Sequence, residues 1–270
     1  MRPPILRTPV RQRIAAPLRS LAFAPRRIPH PRPIPSDRSI HHTAVRLNAV
    51  TSPKAKQCPS CSSHLAPSAS PCPTCKSLVP IPSDVSYYAL FDLVPPASDV
   101  KHELSQLEGG GYVVDVRDLR MRYLKRQQGC HPDSYTGQGK IYDLALEQSS
   151  FLNKAYSTLV NPLSRAQYLL EIYGNPIAET DSLDDPALLM DVMEAREELE
   201  EAETEEEVER VKASNAEHIQ EAMRGLAEAF GRHPPDLTRA KALAIEMQYL
   251  QNLERAAREW QPGKRVEVVH

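Results

Sequence analysis

The sequence predicts an all-α protein, and three observations support that fold class. Aromatic residues are scarce, with four Phe and one Trp, whereas Leu, Ala, Glu and Arg are abundant. Apolar residues recur at helical spacing through much of the chain after residue 82. No run approaches the 18 consecutive apolar residues of a transmembrane helix, so we expect no membrane partner.

Residues 1–47 predict a mitochondrial transit peptide. They contain ten arginines, no lysine and a single acidic residue, Asp37, and they lack the continuous apolar core of a secretory signal. Nine prolines interrupt any amphipathic helix in this segment, so a disordered basic tail is the alternative. The net charge of −2 averages this basic segment against nine glutamates in residues 197–209. The total charge therefore says nothing about nucleic-acid binding.

Residues 48–82 carry two CxxC pairs among prolines and serines and predict a structural zinc site. The segment has too little apolar sequence to form a core of its own, and a tetrahedral metal site would supply that order. The predicted ligands are Cys58, Cys61, Cys72 and Cys75. His64 lies between the pairs as a spare ligand. Thioredoxin-like redox chemistry and free thiols are the alternatives, although no strand–helix context surrounds either pair.

A short helix is expected in "SYYALFDL", with N-cap oxygens from Ser83 and Asp84 and with Pro95 and Pro96 ending it. The loop that follows contains Gly109, Gly110 and Gly111. It is long for a compact helical domain, and we expect it to lie on the surface.

Residues 113–127 predict an amphipathic helix whose polar face is almost wholly cationic. Val116, Leu119 and Tyr123 share one arc of this helix, flanked by Leu124. The cations on the other side are Arg117, Arg122, Lys125 and Arg126. Only Asp118 dilutes them, which favours an acidic protein partner over simple solvation.

Residues 141–160 predict a second helix, which Asn161-Pro162 ends. Its apolar face is formed by Ile141, Leu144, Gln148, Leu152, Ala155 and Leu159, with Phe151 adjoining. The two helices are expected to form an antiparallel hairpin.

The turn of this hairpin contains His131, Pro132 and Asp133 in "RQQGCHPDSYTG". Pro132 stiffens the turn, and its two neighbours offer hydrogen-bonding groups to a partner. The tripeptide alone is a weak motif. Together, a short "YYALF" helix, a basic helix, HPD and an apolar-striped helix resemble the J-domain of DnaJ-type co-chaperones over about residues 86–165. Ser134 stands where most J-domains have Lys, and Cys130 is interpreted as a bystander.

The resemblance implies binding to a heat shock protein 70 class chaperone and stimulation of its ATP hydrolysis. The basic helix would dock on an acidic groove, and HPD would couple docking to hydrolysis. The residues implied are His131, Pro132, Asp133, Arg117, Arg122, Lys125 and Arg126. The motif does no chemistry on a substrate, so the chain is predicted to be a non-enzyme that activates a partner ATPase.

The C-terminal half predicts further long helices. "NPLSRAQYLLEIYG", residues 161–174, and "LLMDVMEAREELEEA", residues 188–202, resemble HscB, the J-protein of iron–sulfur cluster biogenesis. With the J-domain, this resemblance extends over about residues 83–260 and identifies a fungal-like mitochondrial member. The cysteine knuckles resemble those of the animal mitochondrial versions.

These helices contain more apolar residues than a single stripe facing the core requires. Leu188, Val192, Ala195, Leu199 and Ala202 form a stripe on one helix, and Leu243, Met247 and Leu250 form one on the last. From the residues alone, the surplus fits a wide core stripe. The resemblance instead implies a surface that binds the cluster-assembly scaffold protein, formed by Leu189, Met190, Met193, Glu194, Glu197 and Tyr249.

These interpretations divide the chain into a transit peptide or disordered segment (1–47), a four-cysteine zinc-knuckle segment (48–82), a J-domain (83–165), an HscB-type three-helix bundle (166–262) and a tail (263–270). We expect a mitochondrial matrix protein with structural zinc, no directly bound iron–sulfur cluster and no nucleic-acid partner. Formation of a homo-oligomer stays open. The rival interpretations are a general mitochondrial J-protein of folding or import, a zinc-ribbon nucleic-acid binder and a thiol oxidoreductase.

Overall fold

The structure is a computed structural model that describes residues 56–95, 99–182 and 186–262. The predicted transit peptide at residues 1–47 and the predicted tail at residues 263–270 lie outside the described residues. A small antiparallel ribbon comes first, in which β1 (Lys56–Gln57) pairs with β2 (His64–Leu65). Every longer element that the structure describes is helical, which confirms the predicted all-α class.

The helices follow in chain order. They are α1 (Tyr87–Leu90), α2 (Val100–Ser105), α3 (Val116–Cys130), α4 (Lys140–Val160), α5 (Pro162–Tyr173), α6 (Pro186–Glu201), α7 (Glu205–Gly231) and α8 (Leu237–Glu259). Two 3-10 turns, at Glu108–Gly111 and Pro132–Tyr135, precede α3 and α4. Within the described residues, no helix is both long enough and apolar enough to span a bilayer.

Short polar side chains determine where these helices begin. Ser86, one residue before α1, accepts a hydrogen bond from the backbone N–H of Ala89. The prediction that Ser83 or Asp84 caps this helix was therefore wrong, because the helix starts later. Asn161 ends α4 and accepts from the N–H of Ser164, so that α5 begins directly after it at Pro162.

Helices α3 and α4 form the expected antiparallel hairpin. The rings of Tyr123 and Tyr156 stack with centroids 4.3 Å apart. Nearer the turn, Gln127 Nε2 donates to Ser149 Oγ at 2.6 Å. Leu119 and Leu152 are buried between the helices as predicted.

Three residues predicted on or beside the apolar faces of this hairpin are exposed, namely Val116, Leu124 and Ile141. Val116 and Ile141 each lie in the first turn of their helix, at an exposed end. The packed part of the hairpin is therefore shorter than the helices that form it.

The glycine-rich connection before α3 is not the surface loop that was expected. It contains α2, and Gly110 and Gly111 are buried. Tyr88 Oη donates to Gly111 O at 2.7 Å. A Cβ at Gly110 would collide with the backbone carbonyl of Phe230, in α7. The expectation failed because distant parts of the chain cover this segment.

Helices α6, α7 and α8 form the C-terminal bundle, and α5 packs on both α4 and α8. One buried cluster extends from Leu119 in α3 through Leu169 in α5 to Leu226 in α7 and Met247 in α8. The boundary predicted between residues 165 and 166 stays a prediction, and α5 runs through that position without a break.

Candidate functional site

The His131-Pro132-Asp133 turn lies at the tip of the α3–α4 hairpin. His131 caps the 3-10 turn, because its Nδ1 accepts a hydrogen bond from the backbone N–H of Asp133 at 3.3 Å. Tyr135 Oη donates to Gly129 O at 2.9 Å and ties the turn back to α3. The side chains of His131 and Asp133 are nevertheless 49% and 90% exposed. The turn thus has a defined backbone and leaves the imidazole Nε2 and the carboxylate available to a partner.

Cys130, immediately before this turn, is buried. Burial raises the pKa of its thiol to about 11. The thiolate form is therefore suppressed at neutral pH, which supports the interpretation of Cys130 as a bystander.

The basic residues of α3 are divided into two groups. Arg117 and Lys125 are exposed. Arg122 instead donates to Asp118 Oδ2 at 2.7 Å and to the carbonyl of Asp92 at 2.8 Å. Arg126 is only 15% exposed and binds both carboxylate oxygens of Asp92, at 2.8 and 2.9 Å. Two of the four cations predicted to bind a partner are thus already bonded to groups of the same protein.

Two residues on the exposed side of α3, Arg120 and Met121, were not predicted from the sequence, and Leu124 was predicted beside the apolar arc. Arg120 lies one turn from Arg117, and Met121 and Leu124 are exposed beside it. Helical spacing from Arg117 is the signal that could have identified Arg120 and Met121. The free face of α3 is therefore both cationic and apolar.

The four knuckle cysteines converge on one point. Their Sγ atoms all lie within 4.8 Å of one another, with Cys58 to Cys75 at 3.5 Å and Cys61 to Cys72 at 3.7 Å. Sulfur atoms that ligate a tetrahedral zinc ion lie about 3.8 Å apart, since each Zn–S bond is about 2.3 Å long. The donor set therefore fits one metal ion bound by all four thiolates. His64 is exposed on β2 and lies outside this group.

Hydrogen bonding favours the thiolate form of two of these cysteines. Ser77 Oγ lies 2.9 Å from Cys75 Sγ and 3.5 Å from Cys58 Sγ. These bonds lower the pKa of Cys75 and lower the pKa of Cys58 to about 6. Thiolate is the form that binds a metal ion, so Cys58 and Cys75 are suited to metal binding, whereas desolvation and hydrogen bonds with the neighbouring thiols raise the pKa of Cys61.

The surplus apolar residues of α6 lie outside the core. Val192 and Leu199 are buried, whereas Leu189, Met190 and Met193 are 39%, 62% and 53% exposed. Glu194 and Glu197 are exposed near them, and Tyr249 of α8 is half-buried. The residues predicted for a scaffold-binding surface thus include an accessible apolar group on one helix.

Comparisons with known proteins agree with this architecture. A profile of the HSCB C-terminal oligomerisation domain matches residues 184–258. The mitochondrial J-type co-chaperone JAC1 of Saccharomyces cerevisiae is 33% identical over 165 residues, which are 59% of this chain and 85% of the yeast protein. The iron-sulfur cluster co-chaperone protein HscB of Homo sapiens is 31% identical over 143 residues, 52% of this chain and 60% of the human protein.

Solved structures of the same two proteins share the fold. The crystal structure of human HscB aligns with a TM-score of 0.60 at 27% identity, covering 75% of this chain and 97% of the human one. Yeast Jac1 aligns with a TM-score of 0.51 at 28% identity, covering 67% and 99%. The chain belongs to the HscB/Jac1 family of iron–sulfur cluster co-chaperones.

Proposed function

We propose that this protein stimulates ATP hydrolysis by a mitochondrial heat shock protein 70 class chaperone and delivers the iron–sulfur cluster scaffold protein to it. The observation that carries the proposal is the exposed His131-Pro132-Asp133 turn at the tip of a packed hairpin. In a chain of the iron–sulfur co-chaperone family, this turn is the part suited to act on another protein's ATPase cycle.

The chaperone-binding surface would combine this turn with α3. Arg117 and Lys125 are free to attract an acidic groove, and we add Arg120 to them because it is exposed on the same helix. Arg122 and Arg126 would have to give up bonds to Asp118 and Asp92 before binding a partner. We therefore expect the first three to contribute most of the electrostatic attraction.

The scaffold-binding surface would lie on α6 and α8. Leu189, Met190 and Met193 offer exposed apolar area. Tyr249 packs partly against the core, and its remaining accessible part would add an aromatic anchor of the kind that dominates protein interfaces. Glu194 and Glu197 would flank them as polar rim residues.

The metal at the knuckle would be structural zinc, held by Cys58, Cys61, Cys72 and Cys75. Bound there, it would cross-link a segment in which the buried cluster of the described residues has four members, two of them ligand cysteines. The iron–sulfur cluster would stay with the scaffold as cargo. Matrix localisation is supported by the composition of residues 1–47 and by the mitochondrial naming of the yeast relative.

The first test is an ATPase assay of the organellar chaperone with the scaffold present or absent. We expect the protein to accelerate hydrolysis and the scaffold to increase the acceleration. His131→Gln should lose the stimulation, while His102→Gln, which changes an exposed histidine on α2, should keep it. Full stimulation by His131→Gln would contradict the proposal. Stimulation that ignores the scaffold would instead favour a general folding or import function.

The second test measures scaffold binding by calorimetry. The variant Leu189→Ala/Met193→Ala/Tyr249→Ala should bind at least about thirtyfold more weakly, as expected when interface hot spots are truncated. Its stimulation of the chaperone without scaffold should be unchanged. Leu146→Ala removes a similarly exposed leucine from α4 and serves as the control. Equal scaffold affinity of the triple variant and the parent would show that these residues of α6 and α8 do not form the scaffold-binding surface.

A further inference from the structure

The cysteine knuckle packs directly on the end of the hairpin that carries the HPD turn. Arg126, one turn before that end of α3, donates to the carbonyl of Ser68 in the knuckle at 2.6 Å. The same guanidinium holds the Asp92 carboxylate. One side chain of α3 therefore joins the knuckle to the segment that follows α1.

A second connection reaches the knuckle from α4. Gln148 is buried, and its Nε2 donates to the carbonyl of Val79 at 2.9 Å. Its Oε1 accepts from Ser70 Oγ at 2.8 Å, and Ser70 Oγ accepts in turn from the N–H of Val79. Both helices of the hairpin are thus bonded to the segment between Ser68 and Val79.

The knuckle also lies so close to α3 at Gly129 that a side chain there would not fit. A Cβ there would lie 2.7 Å from Pro71 Cδ and 3.1 Å from Pro71 Cγ, which is too close for a rigid ring to accommodate. Gly129 also accepts the hydrogen bond from Tyr135 that ties down the HPD turn, and only Cys130 separates it from His131. Gly129 therefore lies against the knuckle and also accepts the hydrogen bond that anchors the turn.

We propose that the metal-bound knuckle is a brace that positions the HPD turn, with Gly129, Arg126 and Gln148 as its positioning residues. The knuckle contributes few buried apolar residues of its own, so its shape depends on the four thiolates and their metal. Coupling between two sites is reciprocal. Metal binding stabilises the turn, and an intact contact at Gly129 slows loss of the metal.

Gly129→Ala in the full-length, zinc-loaded protein tests this coupling. Alanine normally stabilises a helix relative to glycine by about 0.8–1.0 kcal/mol, so helix propensity alone predicts a firmer α3. The brace predicts the opposite, because the added methyl group pushes Pro71 away. We expect zinc release to a colorimetric chelator to accelerate at least about fivefold, although no cysteine has been changed.

Hydrogen exchange provides the reciprocal measurement. The amides of Asp133 and Ser134 should exchange faster in Gly129→Ala, and also in the parent protein after its metal has been removed. Gln128→Ala, at the neighbouring position of α3, should behave like the parent in both measurements. Unchanged zinc release in Gly129→Ala, or unchanged exchange at the turn after metal removal, would overturn the brace.

Gln148→Leu gives an independent route to the same contact. It removes the bonds to Val79 and Ser70 and leaves Gly129 in place, and it should also accelerate zinc release.

The exchange and release measurements do not depend on the proposed function. If they show coupling and His131→Gln still stimulates the chaperone, the brace stands and the proposed function fails. If the proposed function holds, Gly129→Ala should raise the concentration needed for half-maximal ATPase stimulation more than it lowers the maximum.

Discussion

Arg165 is a charged residue that the fold uses internally. Its side chain is buried, and the guanidinium donates to the carbonyls of Leu159 at 2.6 Å, Tyr112 at 2.7 Å and Val160 at 3.2 Å. Leu159 and Val160 belong to the last turn of α4, where unsatisfied carbonyls carry partial negative charge. One arginine therefore caps α4 and fastens the segment before α3 to it.

We predict that Arg165→Met lowers the free energy of unfolding by roughly 3 kcal/mol or more. Methionine fills much of the volume but leaves three carbonyls without their donor, each costing about 1–3 kcal/mol if it stays buried. Urea denaturation followed by circular dichroism measures the loss. Arg224→Met is the matched control, because Arg224 is exposed and its ion pair with Glu221 spans 3.6 Å. A loss no larger than that of the control would show that Arg165 is not a structural cap.

The glycine-rich connection shows how one element depends on another. Gly110 has φ +60° and faces the backbone of Phe230, whereas Gly137 has φ +81° and open space around it. Alanine strains the backbone at both positions, but it meets another element only at the first. Gly110→Ala should therefore lower the thermal midpoint more than Gly137→Ala does. We expect the difference in the free energy of unfolding between the two variants to be about 2 kcal/mol. Equal shifts of the thermal midpoint would mean that α7 moves away from the added methyl group without loss of stability.

The sequence predicted elements well where their cause is local. The basic helix expected at residues 113–127 is found at Val116–Cys130, and the helix expected at 141–160 is Lys140–Val160. Helical spacing and the Asn161-Pro162 stop were sufficient there. The sequence did not predict α2 or the burial of Gly110, and the latter depends on contacts with α7.

For the candidate site, the sequence likewise predicted local features and did not predict contacts between distant segments. The four cysteines and the HPD turn were identified from motifs, since their spacing is local. The engagement of Arg126 by Ser68 and Asp92 was not, because it joins three separate parts of the chain. A helical wheel shows which residues share a face, but it does not show which of them another segment will bind.

The molecule as a whole should be sensitive to alkaline pH. Burial raises the pKa of Cys130 to about 11 and the pKa values of Tyr112 and Tyr168 to about 12, and it raises the pKa of Tyr88 further. Above about pH 9 to 10 the unfolded chain releases protons that the folded protein retains. The unfolded state then binds fewer protons, so the free energy of unfolding falls as pH rises.

We predict a loss on the order of a few kcal/mol between about pH 9 and pH 11, measured by urea denaturation of the zinc-loaded protein. These four groups contribute no pH dependence below about pH 8. Tyr112→Phe should show a shallower fall, because Tyr112 Oη is buried without a hydrogen-bond partner in the described residues and can be removed at little cost. A flat profile across this range would contradict the assigned burial.

The buried cluster that runs from Leu119 to Met247 has a consequence for how two partners would meet. It connects the hairpin that carries the HPD turn to the bundle that carries the exposed residues of α6. If chaperone and scaffold bind at these two places, their separation is fixed by a solid framework rather than sampled by a random coil. The effective concentration of one bound partner at the other then depends on the fixed positions of the two binding sites. That geometry either allows the two partners to meet or prevents it.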